Sequence, residues 1–340
     1  MSSTDFVISD RVLKKYKGNA SNVVIPEGIK EIGNGAFADC NTIQTVEIPS
    51  GVTMIGKQAF ARCKNLESVV LPDSLTTIGK FAFTACAKLQ KINVSKNVVI
   101  KGDVAFNHCK SLADENGFII INGLLCGYVG ESSHVVIPPT VSIIGAFSFH
   151  LNGNVESVVI PDSVSKIAQD AFSDSKLKSV VMSDSVKSIG DEAFSGCTSL
   201  EDITLSKRAS LKKKVFYWCK SLQTINIPHG IKRIGEGAFQ CCFNLKNINI
   251  PNSVKEIGRE AFLECKSLQS IAIPDSVTYI DYKAFRYCLN LEHITIPNND
   301  IYIAEKAFEK CDSLALCAKK NSYAEEYARR QNIHFIEFNE

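Results

Sequence analysis

The residue types in this chain that are best suited to chemistry are its thiols and imidazoles. The 340 residues include 13 cysteines and 6 histidines. Thiolates and imidazoles bind transition metals, and neighbouring thiols can form disulfides. Most of the cysteines share a spacing of 22 or 23 residues that is broken by one long gap: Cys40, Cys63, Cys86, Cys109, Cys197, Cys219, Cys242, Cys265, Cys288 and Cys311.

The pattern around these cysteines indicates packing rather than catalysis or metal binding. The chain has no Cys-x-x-Cys pair, and Asn152 and Ser175 replace the cysteine in two copies of the pattern. A thiol at an inward position behaves as a small apolar group. We therefore predict a column of buried, reduced thiols, with Cys241 as the accessible exception. The histidines fall at unrelated positions, so no cofactor, metal site or catalytic residue is predicted.

A repeat of 22 or 23 residues positions these cysteines. Its most regular marker is a phenylalanine, which recurs with a single gap of 43 residues: Phe37, Phe60, Phe83, Phe106, Phe149, Phe172, Phe194, Phe216, Phe239, Phe262, Phe285 and Phe308. One copy reads, in order, Pro49, Val52, Ile55-Gly56, Ala59-Phe60, Cys63, Leu66 and Val69. A period in the low twenties with this apolar spacing is typical of leucine-rich repeats.

Each copy predicts one short strand that stacks beside its equivalent in the next copy. The predicted fold class is therefore an α/β solenoid, a leucine-rich-repeat horseshoe with a parallel sheet on its concave face and short helical turns on its convex face. The recurring glycine, as at Gly56 and Gly258, is predicted to turn the chain at a positive φ. The phenylalanines are predicted to stack as a buried spine.

Two segments depart from the repeat and match each other. Residues 6–26 align without a gap onto residues 118–138, and each segment has the pattern of a β-hairpin, with Asn122-Gly123 as a favoured two-residue turn. The predicted organisation is a capping hairpin over residues 1–25, a first repeat array over 26–117, an internal hairpin over 118–137 and a second array over 138–317. Residues 318–340 are predicted to form a C-terminal cap of one helix and one strand, because Ser322 and Glu325 have capping-box spacing.

Composition limits the classes of partner. The 38 basic and 36 acidic residues leave a net charge of +2, so no nucleic-acid partner is predicted. No apolar run approaches the roughly 18 residues that a membrane-spanning helix needs, so membrane insertion is not predicted either. Residues 1–10 lack the basic flank and apolar stretch of a signal peptide, which favours a cytoplasmic location.

The repeated phrase IPDSVTYIDYKAFRYCLNLEHITIP, residues 273–297, closely resembles the BspA-like, or Treponema pallidum-type, leucine-rich repeats. The match extends over nearly the whole chain, and the closing SYAEEYARRQNIHF resembles the terminal unit common in such proteins. The resemblance implies a solenoid without catalytic residues that binds other molecules. It also implies display on the cell surface or secretion, in association with adhesion to host proteins or other cells.

Two surfaces are candidates for binding a protein partner. Trp218 and Tyr287 occupy the repeat position of the charged Asp39, which predicts a lateral aromatic stripe consisting of Lys212, Lys213, Lys214, Tyr217, Trp218, Phe243, Arg286 and Tyr287. The alternative surface is the outward face of the strands, with Val159, Val181, Thr204, Asn226, Asn247, Asn249 and Thr295. The predicted function is a non-enzymatic scaffold for protein–protein interaction or adhesion, and the alternative is a glycan-binding cell-surface protein.

Overall fold

The computed structural model describes residues 5–338, whose regular secondary structure consists almost entirely of short strands joined by turns. The strands are β1 (Phe6–Ser9), β2 (Val12–Tyr16), β3 (Asn22–Val24), β4 (Glu31–Ile32), β5 (Thr45–Glu47), β6 (Met54–Ile55), β7 (Ser68–Val70), β8 (Thr77–Ile78), β9 (Lys91–Ile92), β10 (Val99–Ile100), β11 (Phe118–Ile121), β12 (Leu124–Tyr128), β13 (His134–Val136), β14 (Ile143–Ile144), β15 (Ser157–Ile160), β16 (Lys166–Ile167), β17 (Ser179–Met182), β18 (Ser188–Ile189), β19 (Asp202–Thr204), β20 (Thr224–Asn226), β21 (Arg233–Ile234), β22 (Asn247–Asn249), β23 (Glu256–Ile257), β24 (Ser270–Ala272), β25 (Tyr279–Ile280), β26 (His293–Ile296), β27 (Tyr302–Ile303), β28 (Ala315–Ala318) and β29 (His334–Glu337). A 3₁₀ turn spans Lys110–Leu112, and one α-helix, α1, spans Tyr323–Gln331. Residues 1–4 and 339–340, which the predicted terminal caps include, lie outside the described residues.

The described chain forms two compact units. The first comprises the chain up to Glu131 together with Ile144–Ser148, and the second comprises Ser132–Ile143 and the chain from Phe149 onwards. In the first unit, β1 and β2 form an antiparallel hairpin whose second strand pairs in parallel with β4. A second antiparallel hairpin, β11–β12, has its register shift at the same place as the first.

Each coil of the solenoid contributes strands to parallel ladders. In the first unit, β3, β5, β7 and β9 form one ladder, and β4, β6, β8 and β10 form another. In the second unit, the equivalent ladders are β13–β15–β17–β19, β20–β22, β24–β26–β28–β29 and β21–β23–β25–β27. Alternate residues point inward, so that Val23, Val46 and Val69 pair in register and are buried. The predicted leucine-rich-repeat solenoid is confirmed, and it has a ladder of two-residue strands that was not predicted.

The segments predicted as helical turns are tight turns that bond to the next coil. Around most spine phenylalanines, φ is positive two residues before and two residues after the ring, as at Gln58 (57°) and Arg62 (59°). The N–H of Phe60 donates to the Ala82 carbonyl at 2.7 Å, and that of Arg62 donates to the Thr84 carbonyl at 2.8 Å. An α-helix would direct these N–H groups along its own axis. The turns replace helices because they continue the hydrogen bonding between coils.

The recurring glycine permits close approach between coils, and the prediction of a positive φ was wrong. Gly79 and Gly258 are absent from the positive-φ positions of this chain. A Cβ at Gly79 would lie 2.7 Å from the carbonyl carbon of Gly56, and one at Gly258 would lie 2.8 Å from the Ile234 carbonyl oxygen. Side-chain volume, rather than backbone conformation, therefore selects glycine here.

The predicted phenylalanine spine is confirmed. The rings of Phe37 and Phe60 have centroids 4.8 Å apart and planes inclined by 8°. The spine rings are buried in both units. In the first unit Tyr16 continues the stack beyond Phe37, with centroids 5.2 Å apart, while in the second unit Tyr327 packs edge-on against Phe308. An aromatic side chain of a terminal element therefore covers one end of each stack.

The buried thiols of the cysteine column lie within hydrogen-bonding distance of main-chain carbonyl oxygens of the preceding coil. The thiol of Cys86 lies 3.1 Å from the Phe60 carbonyl oxygen of the preceding coil, and that of Cys265 lies 3.2 Å from the Phe239 oxygen. A thiol fits this position because it is small, largely apolar and still able to donate a weak hydrogen bond. Burial raises the pKa of Cys197 to about 12, so the thiolate form is scarce at neutral pH.

All thirteen cysteines are free, and their exposure differs from the prediction at one position. Cys241 was predicted to be accessible, but it is only 6% exposed. Cys40 and Cys317 are the partly exposed thiols. Cys241 stands at the repeat position that Trp218 occupies in the preceding coil, and burial raises the pKa of its thiol.

The C-terminal segment of the second unit folds as a helix followed by a strand. The hydroxyl oxygen of Ser322 accepts a hydrogen bond from the Glu325 N–H at 3.3 Å, which caps the start of α1. The helix buries Ala324, Tyr327 and Ala328, and β29 then pairs in parallel with β28. No helix in the described part of the chain has both the length and the apolar character to cross a membrane.

Candidate functional site

The predicted lateral stripe begins in an irregular coil, residues 206–227. This coil contains six basic residues and no acidic residue: Lys207, Arg208, Lys212, Lys213, Lys214 and Lys220. Its short second strand is reduced to one isolated bridge between Leu211 and Ile234. The structure gives three of its lysines different surroundings, since the Lys213 ammonium pairs with Glu236 at 3.1 Å, Lys214 lies 5.1 Å from the Tyr217 ring, and Lys212 is exposed.

The backbone holds Trp218 at the surface, as predicted from its repeat position. Its φ is 61°, which is the left-handed conformation that recurs two residues after each spine phenylalanine. The indole is 40% exposed, and its centroid lies 5.9 Å from that of the half-buried Tyr217. Burial raises the pKa of the Tyr217 phenol, so this hydroxyl stays protonated. The pair presents a neutral aromatic surface with one hydroxyl.

Two lysines join Trp218 to Phe243 of the next coil. The Lys220 ammonium lies 4.3 Å from the Trp218 ring centroid and 5.8 Å from that of Phe243. The Lys266 ammonium lies 4.7 Å from the Phe243 centroid and pairs with Glu264 at 3.1 Å. Cations over aromatic rings are attracted by about 0.5–1 kcal/mol at exposed sites. We call this group, Tyr217, Trp218, Lys220, Phe243 and Lys266, the lateral aromatic surface.

The remaining members of the predicted stripe lie two coils beyond Phe243. The Arg286 guanidinium carbon is 4.6 Å from the Tyr287 ring centroid, and Arg286 Nε pairs with the Glu309 carboxylate at 2.7 Å. Arg286 is therefore already neutralised within the protein. Leu289 occupies the same repeat position as Phe243 and is 47% exposed, so it extends the apolar surface in this direction.

Three residues of this region were missed from the sequence: Lys220, Lys266 and Leu289. All three stand four residues after a spine phenylalanine, as Phe243 does. This repeat position was the available signal, because side chains at equivalent positions of neighbouring coils lie next to each other. The lysines were missed because an isolated lysine in a sequence does not show which ring it covers.

The alternative surface on the strands is divided among three ladders. Val136, Val159 and Val181 pair in register and are exposed by 66%, 42% and 49%, and Thr204 continues this row. Asn226 pairs with Asn249 in the separate β20–β22 ladder. Asn247 lies in that same ladder, and Thr295 pairs with Ala272 in a third one. Only the valine row offers a continuous apolar area.

One serine and one histidine on the strands contact each other without the carboxylate of a Ser-His-Asp triad. Nδ1 of His134 lies 2.7 Å from the Ser157 hydroxyl oxygen. The neighbouring Glu156 carboxylate instead pairs with Lys178 at 2.9 Å, and a serine–histidine pair needs a carboxylate to orient the imidazole. Over residues 5–338, no group of three or more His, Cys, Asp or Glu side chains is placed to hold a metal ion.

Comparison with protein families identifies the type of repeat. The BspA type leucine rich repeat region, whose family model spans six copies, matches residues 7–118, 126–211 and 207–315. The chain belongs to the BspA-type leucine-rich-repeat family. The resemblance seen in the repeated phrase of residues 273–297 is thereby confirmed. Among BspA-type proteins, the departures of this chain from its own repeat, such as the basic coil, are the places where individual function can reside.

Solved structures of bacterial leucine-rich-repeat proteins are similar to this BspA-type chain. A leucine-rich repeat protein from Bacteroides ovatus is 27% identical, with a TM-score of 0.65 and coverage of 98% of this chain and 91% of that one. A leucine rich cell surface protein from Faecalibacterium prausnitzii is 26% identical, with a TM-score of 0.51 and coverage of 95% and 94%. A leucine-rich repeat protein from Eubacterium ventriosum shares the fold at 22% identity, a TM-score of 0.58 and coverage of 81% and 88%. Comparison with functionally curated proteins gives no significant match.

Proposed function

We propose that this protein is a non-enzymatic scaffold that binds a protein partner through its lateral aromatic surface. The observation that supports the proposal is the 40% exposure of Trp218 beside Tyr217 and Phe243. Tryptophan and tyrosine are enriched among the residues that dominate binding energy at protein interfaces. These side chains lose little conformational entropy on binding, and their rings have both an apolar face and a polar edge.

The structure offers a second position for the partner, the valine row on the strands. Val136, Val159 and Val181 together form an exposed apolar row. The row lacks aromatic anchors and charged partners, which makes it the weaker candidate. A glycan partner is not favoured at this row, because sugar-binding surfaces generally use aromatic platforms and these strands present none there.

Paired variants distinguish the two positions. Wild-type protein, Trp218→Ala and Val181→Ser are immobilised and used to capture proteins from the organism's surroundings, and the dissociation constant of each purified binder is then measured. Trp218→Ala is expected to weaken binding by about 30-fold, equivalent to about 2 kcal/mol. Val181→Ser is expected to change it by less than about threefold. Both side chains are exposed, so unfolding midpoints equal to that of the wild type serve as the control for folding. The reverse order of effects would place the partner on the strands.

The proposal includes a location at the cell surface. It is supported by the similarity to the Faecalibacterium prausnitzii protein, which is described as a leucine rich cell surface protein. Antibody labelling of intact cells tests the location directly. Signal that appears only after the cells are opened would show that the protein is inside them and would restrict the partner to intracellular proteins.

A further inference from the structure

We propose that the lateral aromatic surface recognises an extended acidic peptide. An acidic residue of the peptide lies opposite Lys220, an apolar residue lies opposite Phe243, and a second apolar residue lies three positions further along, opposite Leu289. This inference rests on the proposed function and names the chemistry of the partner.

The charge of the surface is unbalanced at Lys220. Among residues 5–338, Lys213 and Lys266 each pair with a carboxylate of the protein at 3.1 Å. The Lys220 ammonium contacts two aromatic rings instead and forms no ion pair within the described chain. Its own coil contains no acidic residue. A carboxylate supplied by a partner would therefore complete a contact that the protein leaves open.

The spacing of the apolar positions suits an extended chain. Phe243 and Leu289 each stand four residues after a spine phenylalanine, and they are two coils apart. The spine rings of these coils are separated by 5.4 and 5.0 Å, which places equivalent side chains two coils apart at roughly 10 Å. A peptide in the extended polyproline II conformation covers this distance in about three residues at 3.1 Å each, and its side chains three positions apart lie on the same face. Lys220 lies one coil before Phe243, so the acidic residue precedes the first apolar residue by one or two positions.

The rings are covered in a way that favours a peptide over a single-stranded nucleic acid. Nucleobases bind by stacking on open aromatic faces. Lys220 and Lys266 reach Phe243 from the coils on either side of it, and Lys220 also covers Trp218. Lysine ammonium groups therefore already occupy positions over these rings. The exposed Leu289 offers an apolar contact without a stacking surface.

Selection from a displayed peptide library tests the inference without a known partner. Random dodecapeptides are selected on the wild-type protein, and peptides that also bind Trp218→Ala are discarded. We expect the remaining sequences to be enriched in Asp or Glu placed one or two positions from an apolar residue, with another apolar residue three positions beyond. The sole tryptophan, Trp218, reports binding of each synthetic peptide by its fluorescence.

Matched variants then assign the contacts. Lys220→Met keeps the aliphatic stem but removes the charge, and it is expected to weaken the selected peptide about tenfold. Lys246→Met, at an exposed lysine of the same unit outside the lateral aromatic surface, is expected to change affinity less than about twofold. Raising NaCl from about 50 to 300 mM weakens the wild type several-fold and Lys220→Met less, because salt screens the contact with Lys220. Leu289→Ser is expected to remove the preference for the second apolar residue.

The outcomes separate this inference from the proposed function. Trp218-dependent peptides without acidic residues, or equal effects of Lys220→Met and Lys246→Met, would overturn the acidic peptide and leave the scaffold function in place. If no selected peptide depends on Trp218, the lateral aromatic surface itself is wrong as the binding site. Tighter binding of a dodecamer of deoxythymidine than of the best peptide would also overturn the inference, in favour of a nucleic acid.

Discussion

Gly258→Ala is predicted to destabilise the second unit even though the φ angle of Gly258 is ordinary. A Cβ at this position would lie 2.8 Å from the Ile234 carbonyl oxygen, 3.0 Å from the Gly235 carbonyl carbon and 3.1 Å from the Glu236 nitrogen. These are backbone atoms of the preceding coil, so no side chain can rotate away. The Gly258 N–H also donates to the Ile234 carbonyl at 2.9 Å, so separating the coils would lengthen that bond.

The expected cost of Gly258→Ala is about 1–3 kcal/mol in the free energy of unfolding, as for other substitutions that overfill a packed interior. Two control substitutions separate the effect of side-chain volume from the effect of backbone conformation. Gly153→Ala meets nothing within 4 Å and has no positive φ, so a change below about 0.5 kcal/mol is expected. Gly28→Ala also meets nothing within 4 Å, but its φ is 84°, so a cost of about 1–2 kcal/mol is expected from conformation alone.

Urea unfolding followed by circular dichroism measures all three variants, and Trp218 fluorescence reports the second unit separately. The close contact between coils predicts that Gly258→Ala is clearly less stable than Gly153→Ala. Equal stabilities of these two variants would refute it, because they would show that the coils have room for a methyl group at the glycine position. A lower cost for Gly28→Ala than for Gly153→Ala would contradict the argument from φ.

Three further predictions concern the core. Phe239→Ala is expected to cost about 3–5 kcal/mol because the ring is fully buried, whereas Phe243→Ala, at the surface, is expected to cost less than about 1 kcal/mol; similar values in urea unfolding would contradict the spine. In the native protein, the partly exposed thiols of Cys40 and Cys317 are expected to react first with a thiol reagent. Mass spectrometry measures the labelling of each cysteine. Labelling of the fully buried cysteines at the same rate would contradict this prediction. The free energy of unfolding is expected to fall as pH rises above about 9, because unfolded thiols ionise while the pKa of Cys197 in the folded protein is about 12. Cys197→Ala should make the free energy of unfolding fall less steeply with pH. An unchanged dependence on pH would exclude the Cys197 thiol as its source.

The sequence was sufficient for features that depend on periodic apolar residues. The spine is an example, since Phe60 and Phe83 can stack only if the chain closes one coil between them. The exposure of Trp218 also followed from the sequence, because the same repeat position carries Asp39 in another coil, and a charge there requires solvent. Repetition allowed Trp218 to be interpreted from its counterparts, but the same comparison failed for Cys241, which stands at this repeat position and is buried.

The features that were missed depend on which atoms meet between coils. A glycine in a sequence is compatible with a positive φ and with close approach alike, so Gly258 could not be assigned to one of them. The second ladder was missed because strands of two residues, such as β6 and β8, are too short to show an alternating pattern. The coverage of Phe243 by Lys220 depends on the path of a flexible side chain, which periodicity does not determine.

The residue two positions after each spine phenylalanine has a left-handed backbone conformation, and this position is suited to protein engineering. Its backbone is held by main-chain hydrogen bonds, such as that from the Trp218 N–H to the Gln240 carbonyl at 2.9 Å, and not by its side chain. Residues as different as Asp39, Trp218 and Tyr287 occupy the position with φ between 61° and 64°. Except where this side chain is covered, as at Cys241, each coil therefore provides one exchangeable position, at a pitch of about 5 Å. New specificity can be installed one coil at a time without redesigning the core.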